Sequence, residues 1–214
     1  MSRCFSSPSS ATGAPVEGLL ARVRQGEEQH LGRLLQLYRN YLTILATAQL
    51  DARLRRRVSP SDLVQETMLG AYRDFRKFRG ETEGELVSWL RQILIHCLHH
   101  TYEAHFRAGR RDIRREISLD DVDRSSNRLL GIAQALATQG ESPSAPVRDR
   151  ERAVAIADKL AQLRPDYREV IVLRNLQGLS FEEVAQRMDR KPGAVRMLWL
   201  RAIEKFRQLY EGSP

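Results

Sequence analysis

The chain has 214 residues, enough for one or two domains with real cores, and its formal net charge of +8 points to an acidic partner, nucleic acid first. No apolar run is long enough to cross a bilayer and the N-terminus lacks the apolar core of a signal peptide, so a cytoplasmic protein with no membrane partner is expected. The two cysteines, Cys4 and Cys97, argue against a disulfide framework or a cysteine metal site, and Cys97 reads as a small buried hydrophobe.

Residues 1–15 are rich in Ser, Pro, Ala and Gly and cannot bury enough apolar surface to fold, so they read as a disordered tail. Helical periodicity begins with Val16, Leu19, Leu20 and Val23, and resumes after Gly26 in Leu31, Leu34, Leu35, Tyr38, Leu42 and Leu45. These are helices of a bundle. Arg53, Arg55, Arg56 and Arg57 then make a basic turn that is more often simply solvated than bound to phosphate. The next helix has sharp signals: Ser59 at the N-cap, Pro60 at the first helical position and Asp62 completing an acidic capping box. Leu63, Thr67, Ala71, Phe75 and Phe78 form its buried stripe, while Asp62, Gln65, Glu66, Leu69 and Arg73 fall on the other side. An apolar centre with a polar rim fits a protein-binding surface, the plain alternative being a merely exposed leucine.

The segment Phe78-Arg79-Gly80-Glu81 breaks this helix, and another is expected over about 86–106 with Leu86, Leu90, Ile93, Leu94, Cys97, Leu98 and Thr101 as its core stripe. Arg91, Gln92, Ile95, His96, His99 and Glu103 are left outside. Histidines at this spacing without obvious carboxylate or cysteine companions are a weak metal signal, and contact with bases or phosphates suits them better. No metal or cofactor is assigned. The helix runs into Arg107, Arg110, Arg111, Arg114 and Arg115, a tract that supplies salt-sensitive phosphate affinity whatever the sequence bound.

Residues 118–149 change character, with acids followed by Ser, Asn, Gly and Pro, and read as a linker within which 128–138 could form a short helix. Periodicity returns in Ala153, Ile156, Ala157, Leu160 and Leu163, and Pro165 starts a further helix carrying Val170, Ile171, Leu173 and Leu176. Gly178 closes it. Ser180 and Glu183 then form a second capping box, Val184, Ala185 and Met188 an apolar stripe, Asp189 a left-handed turn and Pro192 a fresh helix start. Val195, Trp199, Ala202 and Phe206 fall on a buried face, opposite Lys191, Arg196, Met197, Leu200 and Arg201. A helix anchored on its back and basic on its front is the reading element of a helix-turn-helix, the plain alternative being a helical hairpin with a solvated face.

Two blocks resemble a bacterial RNA polymerase sigma factor of the small extracytoplasmic-function type. Asp62-Leu63-Val64-Gln65-Glu66, Ala71-Tyr72, Phe78-Arg79-Gly80 and Trp89-Leu90 resemble region two of that family. Leu163, Pro165, Arg168-Glu169-Val170, Leu173-Arg174, Gly178-Leu179-Ser180, Glu183-Val184-Ala185, Gly193, Val195 and Arg201-Ala202 resemble region four. Arg-Met-Leu-Trp-Leu-Arg-Ala from Arg196 looks most like members abundant in planctomycetes. The resemblance implies an all-α protein: a region-two domain over 16–117, a flexible linker over 118–149 and a region-four helix-turn-helix domain over 150–211. It implies no catalytic residue and no catalytic chemistry.

By the same resemblance, Asp62, Gln65 and Glu66, with Leu69 beside them, dock on the β′ clamp helices of core RNA polymerase, and the β flap is a further contact. Phe78, Arg79, Arg91, Gln92, His96, His99, Arg107, Arg110 and Arg111 face the minus-ten element, of which the loop 78–85 captures a flipped base. Arg190, Lys191, Ala194, Arg196, Met197 and Arg201 face the minus-thirty-five element. Trp89 and Trp199 read as core residues. The chain departs from the family pattern at His96, commonly Asn; at Met197 and Leu198, positions usually basic or small; and at Asp189, usually Gly. Small members of the family are usually restrained by an inhibitor, and no inhibitor segment is fused here, which leaves room for an anti-sigma factor in trans. The alternatives are a helix-turn-helix regulator that never touches polymerase and a histidine-metal hydrolase on the stretch 96–105.

Overall fold

The computed structural model describes residues 16–51, 54–106, 119–136 and 146–211. Helices follow the apolar periodicity: α1 (Val16–Arg24), α2 (Gln29–Gln36), α3 (Arg39–Gln49), α4 (Pro60–Asp74), α5 (Glu83–Phe106), α6 (Leu119–Leu136), α7 (Pro146–Ala161), α8 (Pro165–Ile171), α9 (Phe181–Met188) and α10 (Pro192–Glu211). No strand occurs among the described residues. The tail, Arg53 and the arginines 107, 110, 111, 114 and 115 lie outside the described residues.

The first five helices build around α4 and α5. Ser59 Oγ accepts from the Asp62 N–H at 3.2 Å, and the Asp62 carboxylate accepts from the Ser59 N–H at 3.2 Å, so the capping box starts α4 where the sequence puts it. Leu63, Thr67 and Ala71 are buried along α4 and Phe75 just past its end, and α4 packs on α5, where Leu86, Leu90, Leu94, Cys97 and Leu98 are buried. Thr67 satisfies its hydroxyl by donating to the Leu63 carbonyl at 2.7 Å, the local solution open to a buried threonine in a helix. Tyr38 and Tyr41 are fully buried in the wall supplied by α2 and α3, and Tyr38 keeps its hydroxyl paired with the Glu83 carboxylate at 3.1 Å.

In the last four helices Val170, Ile171, Leu173, Val184, Val195, Ala202 and Phe206 make the core. Arg168 closes the end of α7 by donating to the carbonyls of Leu160, Ala161 and Leu163 at 3.2, 2.7 and 3.1 Å. A guanidinium there satisfies orphan carbonyls and meets the negative end of the helix dipole. After α8 the chain widens into a π-helical turn over Val172–Leu176 and stops at Gly178, whose φ of +74° only glycine enters freely.

Within the expected linker, the helix is longer than the short one allowed over 128–138. Leu119–Leu136 is a packed helix, with Val122, Leu129 and Ile132 buried on one face together with Ser125 and Ser126. The two serines let α6 approach α3 closely, where Ser126 meets the Tyr41 hydroxyl at 3.2 Å and Ser125 accepts from Gln49 at 2.9 Å. Polar groups also join the two sets of helices directly. Gln177 donates to the Thr47, Ala48 and Leu50 carbonyls at 3.1, 3.2 and 3.3 Å, and Asn40 donates to Asp158 at 2.9 Å.

Candidate polymerase and nucleic-acid interfaces

The α4 face predicted to bind protein is open. Asp62, Gln65, Glu66 and Leu69 are all exposed, Leu69 at 71 %, and Tyr72 one turn on is 52 % exposed. A leucine that stands free on a helix whose opposite side is fully buried is placed by the register of that burial and has no packing partner to justify it. Tyr72 is a member of this apolar patch that the sequence reading left out, although its spacing of three from Leu69 puts it on the same side.

The loop after α4 is tightly constructed. Phe78 packs against Trp89 and Phe75 with ring centroids 5.1 and 5.8 Å away; Phe78 and Trp89 are both half-buried, so Trp89, expected in the core, packs at its margin. Gly80 is required by space: a Cβ there would stand 2.5 Å from the Phe78 ring. Glu85 then accepts from the Glu81 and Thr82 N–H groups at 2.8 and 3.0 Å and from the Thr82 hydroxyl at 2.9 Å. These bonds hold its carboxyl below the usual glutamate range, the backbone bond from Glu81 contributing most.

On α5, the predicted DNA-facing residues Gln92 and His96 are open to solvent, as is Arg79 of the loop, and His99 is so in part. Arg91 is not. It is 4 % exposed and ion-paired with Asp123 of α6, because the helix formed within the expected linker lies over that edge of α5. Arg107, Arg110 and Arg111 fall outside the described residues. Among the described residues no group of three or more His, Cys, Asp or Glu could hold a metal ion.

The helix-turn-helix forms from local signals. Ser180 and Glu183 exchange both capping-box bonds, at 3.2 and 2.7 Å, which start α9 and lower the Glu183 carboxyl through the backbone bond from Ser180. Asp189 takes the left-handed turn at φ 50°, ψ 52°, doing the work usually given to glycine, and Pro192 opens α10. Arg190, Lys191, Ala194, Arg196, Met197 and Arg201 are all exposed. Arg196 lies 3.1 Å from Glu182 and its guanidinium carbon is 5.6 Å from the centre of the Phe181 ring, so α9 orients it. Leu198, one of the departures from the family pattern, is 8 % exposed, a core residue beside Val195 and Ala202. Trp199 is half-buried, donating from Nε1 to Asn175 at 2.9 Å.

A basic reading helix in one helical unit, and an exposed acidic and apolar patch in the other, define a DNA-binding protein of transcription with a protein partner of its own. Comparison with known proteins makes the class specific. Family models match as Sigma-70 region 2 over residues 28–111 and Sigma-70, region 4, over residues 153–206. The ECF RNA polymerase sigma-E factor of Haemophilus influenzae is 30% identical over 188 residues, 88% of this chain and 91% of that protein. The RNA polymerase sigma-H factor of Pseudomonas aeruginosa is 28% identical over 190 residues, 87% of this chain and 89% of that protein. The solved structure of CnrH in complex with the cytosolic domain of CnrY covers 93% of this chain and 99% of its own, at 18% identity and a TM-score of 0.32. The chain belongs to the extracytoplasmic-function sigma factors. Its function is to bind core RNA polymerase and promoter DNA and to direct transcription initiation, which sets aside the regulator that never touches polymerase. No helix of the described residues is long and apolar enough to cross a membrane.

Proposed function

We propose a division of labour among three surfaces. Asp62, Gln65, Glu66 and Leu69, extended by Tyr72, dock on the β′ clamp helices of core polymerase; the open α4 face supports this, since these side chains are exposed while the same helix is buried on its other side. The loop 78–85 with Gln92, His96 and His99 receives the melted minus-ten strand, and Arg107, Arg110 and Arg111 add phosphate contacts. Arg190, Lys191, Ala194, Arg196, Met197 and Arg201 read the minus-thirty-five element, with the last four helices also meeting the β flap. Arg91 stays out of this set while Asp123 covers it. Such a protein works in the cytoplasm, beside polymerase and chromosome, and does no chemistry of its own. The α10 heptad from Arg196 supports a place among planctomycete-like members, and an anti-sigma factor in trans would add a protein partner that co-purification from the native cell reveals.

The exposed Leu69 amid acids carries the reading. It is tested by transcription from genomic fragments with core polymerase and variant proteins. Replacing Arg196 and Arg201 should weaken promoter binding and reduce its salt slope by about two. A variant with unchanged promoter affinity and slope would show that α10 does not read DNA through these residues.

A further inference from the structure

The geometry points to Arg24, on α1 and ahead of the matched region-2 segment that begins at residue 28, as the positioning residue that fixes the loop 78–82 in the shape that receives an unstacked base. This rests on the minus-ten reading of that loop given above.

One guanidinium ties down successive loop residues. Arg24 Nη2 donates to the Arg79 carbonyl at 3.0 Å and to the Gly80 carbonyl, and Nη1 lies 3.9 Å from the Glu81 carboxylate. The opposite groups of the same loop are held from α5, where Glu85 accepts from the N–H groups of Glu81 and Thr82. Carbonyls are therefore clamped from α1 and amides from α5, with the Phe78 ring packed across Gly80 between them. Charge-assisted bonds of this kind fix geometry more firmly than neutral ones. The contact is solvent-accessible, Arg24 being 35% exposed, so water replaces it at little cost in folding stability while the loop loses its constraint.

The remainder of α1 does not depend on this side chain. Leu19, Leu20 and Val23 are buried at 7, 1 and 6 % exposure and hold the helix in place. Next to the clamp, a groove of about 630 Å³ runs between α1 and the end of α4, with Arg24, Arg76 and Arg79 on its walls. Glu28, which pairs with Arg76 at 2.8 Å, is the carboxylate on that wall. A cationic wall beside the loop suits a strand whose base enters the loop while its phosphates stay outside.

Holoenzyme reconstituted from core polymerase and the full chain is titrated with fork-junction DNA bearing the single-stranded minus-ten segment of a promoter mapped with the wild type. The titration is repeated with an abasic site at each strand position in turn. Wild-type holoenzyme should lose about tenfold in affinity at one position, the base held by the loop. Arg24→Ala should bind the intact fork roughly tenfold more weakly, with unchanged affinity for core polymerase, and lose little more at that abasic position. Arg24→Lys, which keeps a cationic donor, should recover most of the affinity. The double variant R24A/E81Q should remain weak. The assignment is overturned if R24A binds the intact fork like the wild type, if its abasic loss equals the wild-type loss, or if R24A/E81Q regains full affinity, which would make Arg24 only a counter-charge to Glu81. A wild type indifferent to every abasic site would instead remove the base-capture reading beneath it.

Discussion

Arg91 of α5 and Asp123 of α6 form an ion pair in which the guanidinium is buried and the carboxylate partly open to solvent, with side-chain exposures of 5% and 39%. The pair joins the helix assigned to the minus-ten strand to a helix in the stretch whose composition reads as linker. Removing the acid leaves a buried guanidinium without its partner, a far costlier state than losing both groups. Asp123→Ala should therefore lower stability by about 2–3 kcal/mol, less than for a fully buried pair because Asp123 is partly hydrated. Arg91→Met combined with Asp123→Leu should restore most of it, as urea unfolding midpoints will show.

Asp189 carries backbone strain that glycine would relieve, since its φ of 50° lies in the left-handed region. Asp189→Gly should leave stability unchanged or raise it by up to about 1 kcal/mol, the gain being offset by the freer unfolded chain. Asp189→Val, β-branched in the same conformation, should lower it by about 1–2 kcal/mol. Thermal unfolding of the two variants measures the difference.

Acid should loosen the molecule at identifiable places. Glu85 and Glu183 are held below the ordinary glutamate value of 4.5 by N–H donors at the starts of α5 and α9. Groups with lowered folded pKa contribute stability that is full above the unfolded value and lost as pH falls through the folded one. The wild type should thus exceed Glu85→Gln and Glu183→Gln in urea midpoint at neutral pH, and the gap should close below about pH 4. Asp158 runs the other way, its carboxyl raised by burial despite the hydrogen bond from Asn40.

Cys97 should be a slow thiol. It is 9% exposed and its pKa is pushed up by burial, so the reactive thiolate is scarce at neutral pH. In a Cys4→Ser background, labelling by a thiol reagent should be slow in the folded protein and fast in urea. Labelling at the same rate in both would place Cys97 outside the core.

The parts of the molecule legible in the sequence are those specified by neighbouring residues. Ser59 with Asp62, Ser180 with Glu183, and Gly178, Asp189 and Pro192 each act through their own backbone, so α4 and the helix-turn-helix start and stop where those residues stand. The register of burial in α4 then exposes Leu69 without reference to the rest of the chain. What the sequence withheld depends on tertiary neighbours. The acids of α6 masked Val122, Leu129 and Ile132, whose spacing of seven and three is one helix face. Arg91 sits at the edge of the α5 core stripe, and only the arrival of α6 decides that it is buried. Leu198 lies one position before Trp199, on the margin of a stripe wider than the four residues that defined it. Arg24 bonds to residues 55 and 56 positions away, a relation that no local pattern contains.

The most direct test of the account is the affinity of purified core RNA polymerase for the wild type and for the variant with Asp62, Gln65 and Glu66 all replaced by Ala. A loss of at least about tenfold, with helicity and unfolding midpoint unchanged, is the predicted result. Equal affinity of the two proteins for core polymerase would contradict it, and would show that this sigma factor meets polymerase through another face.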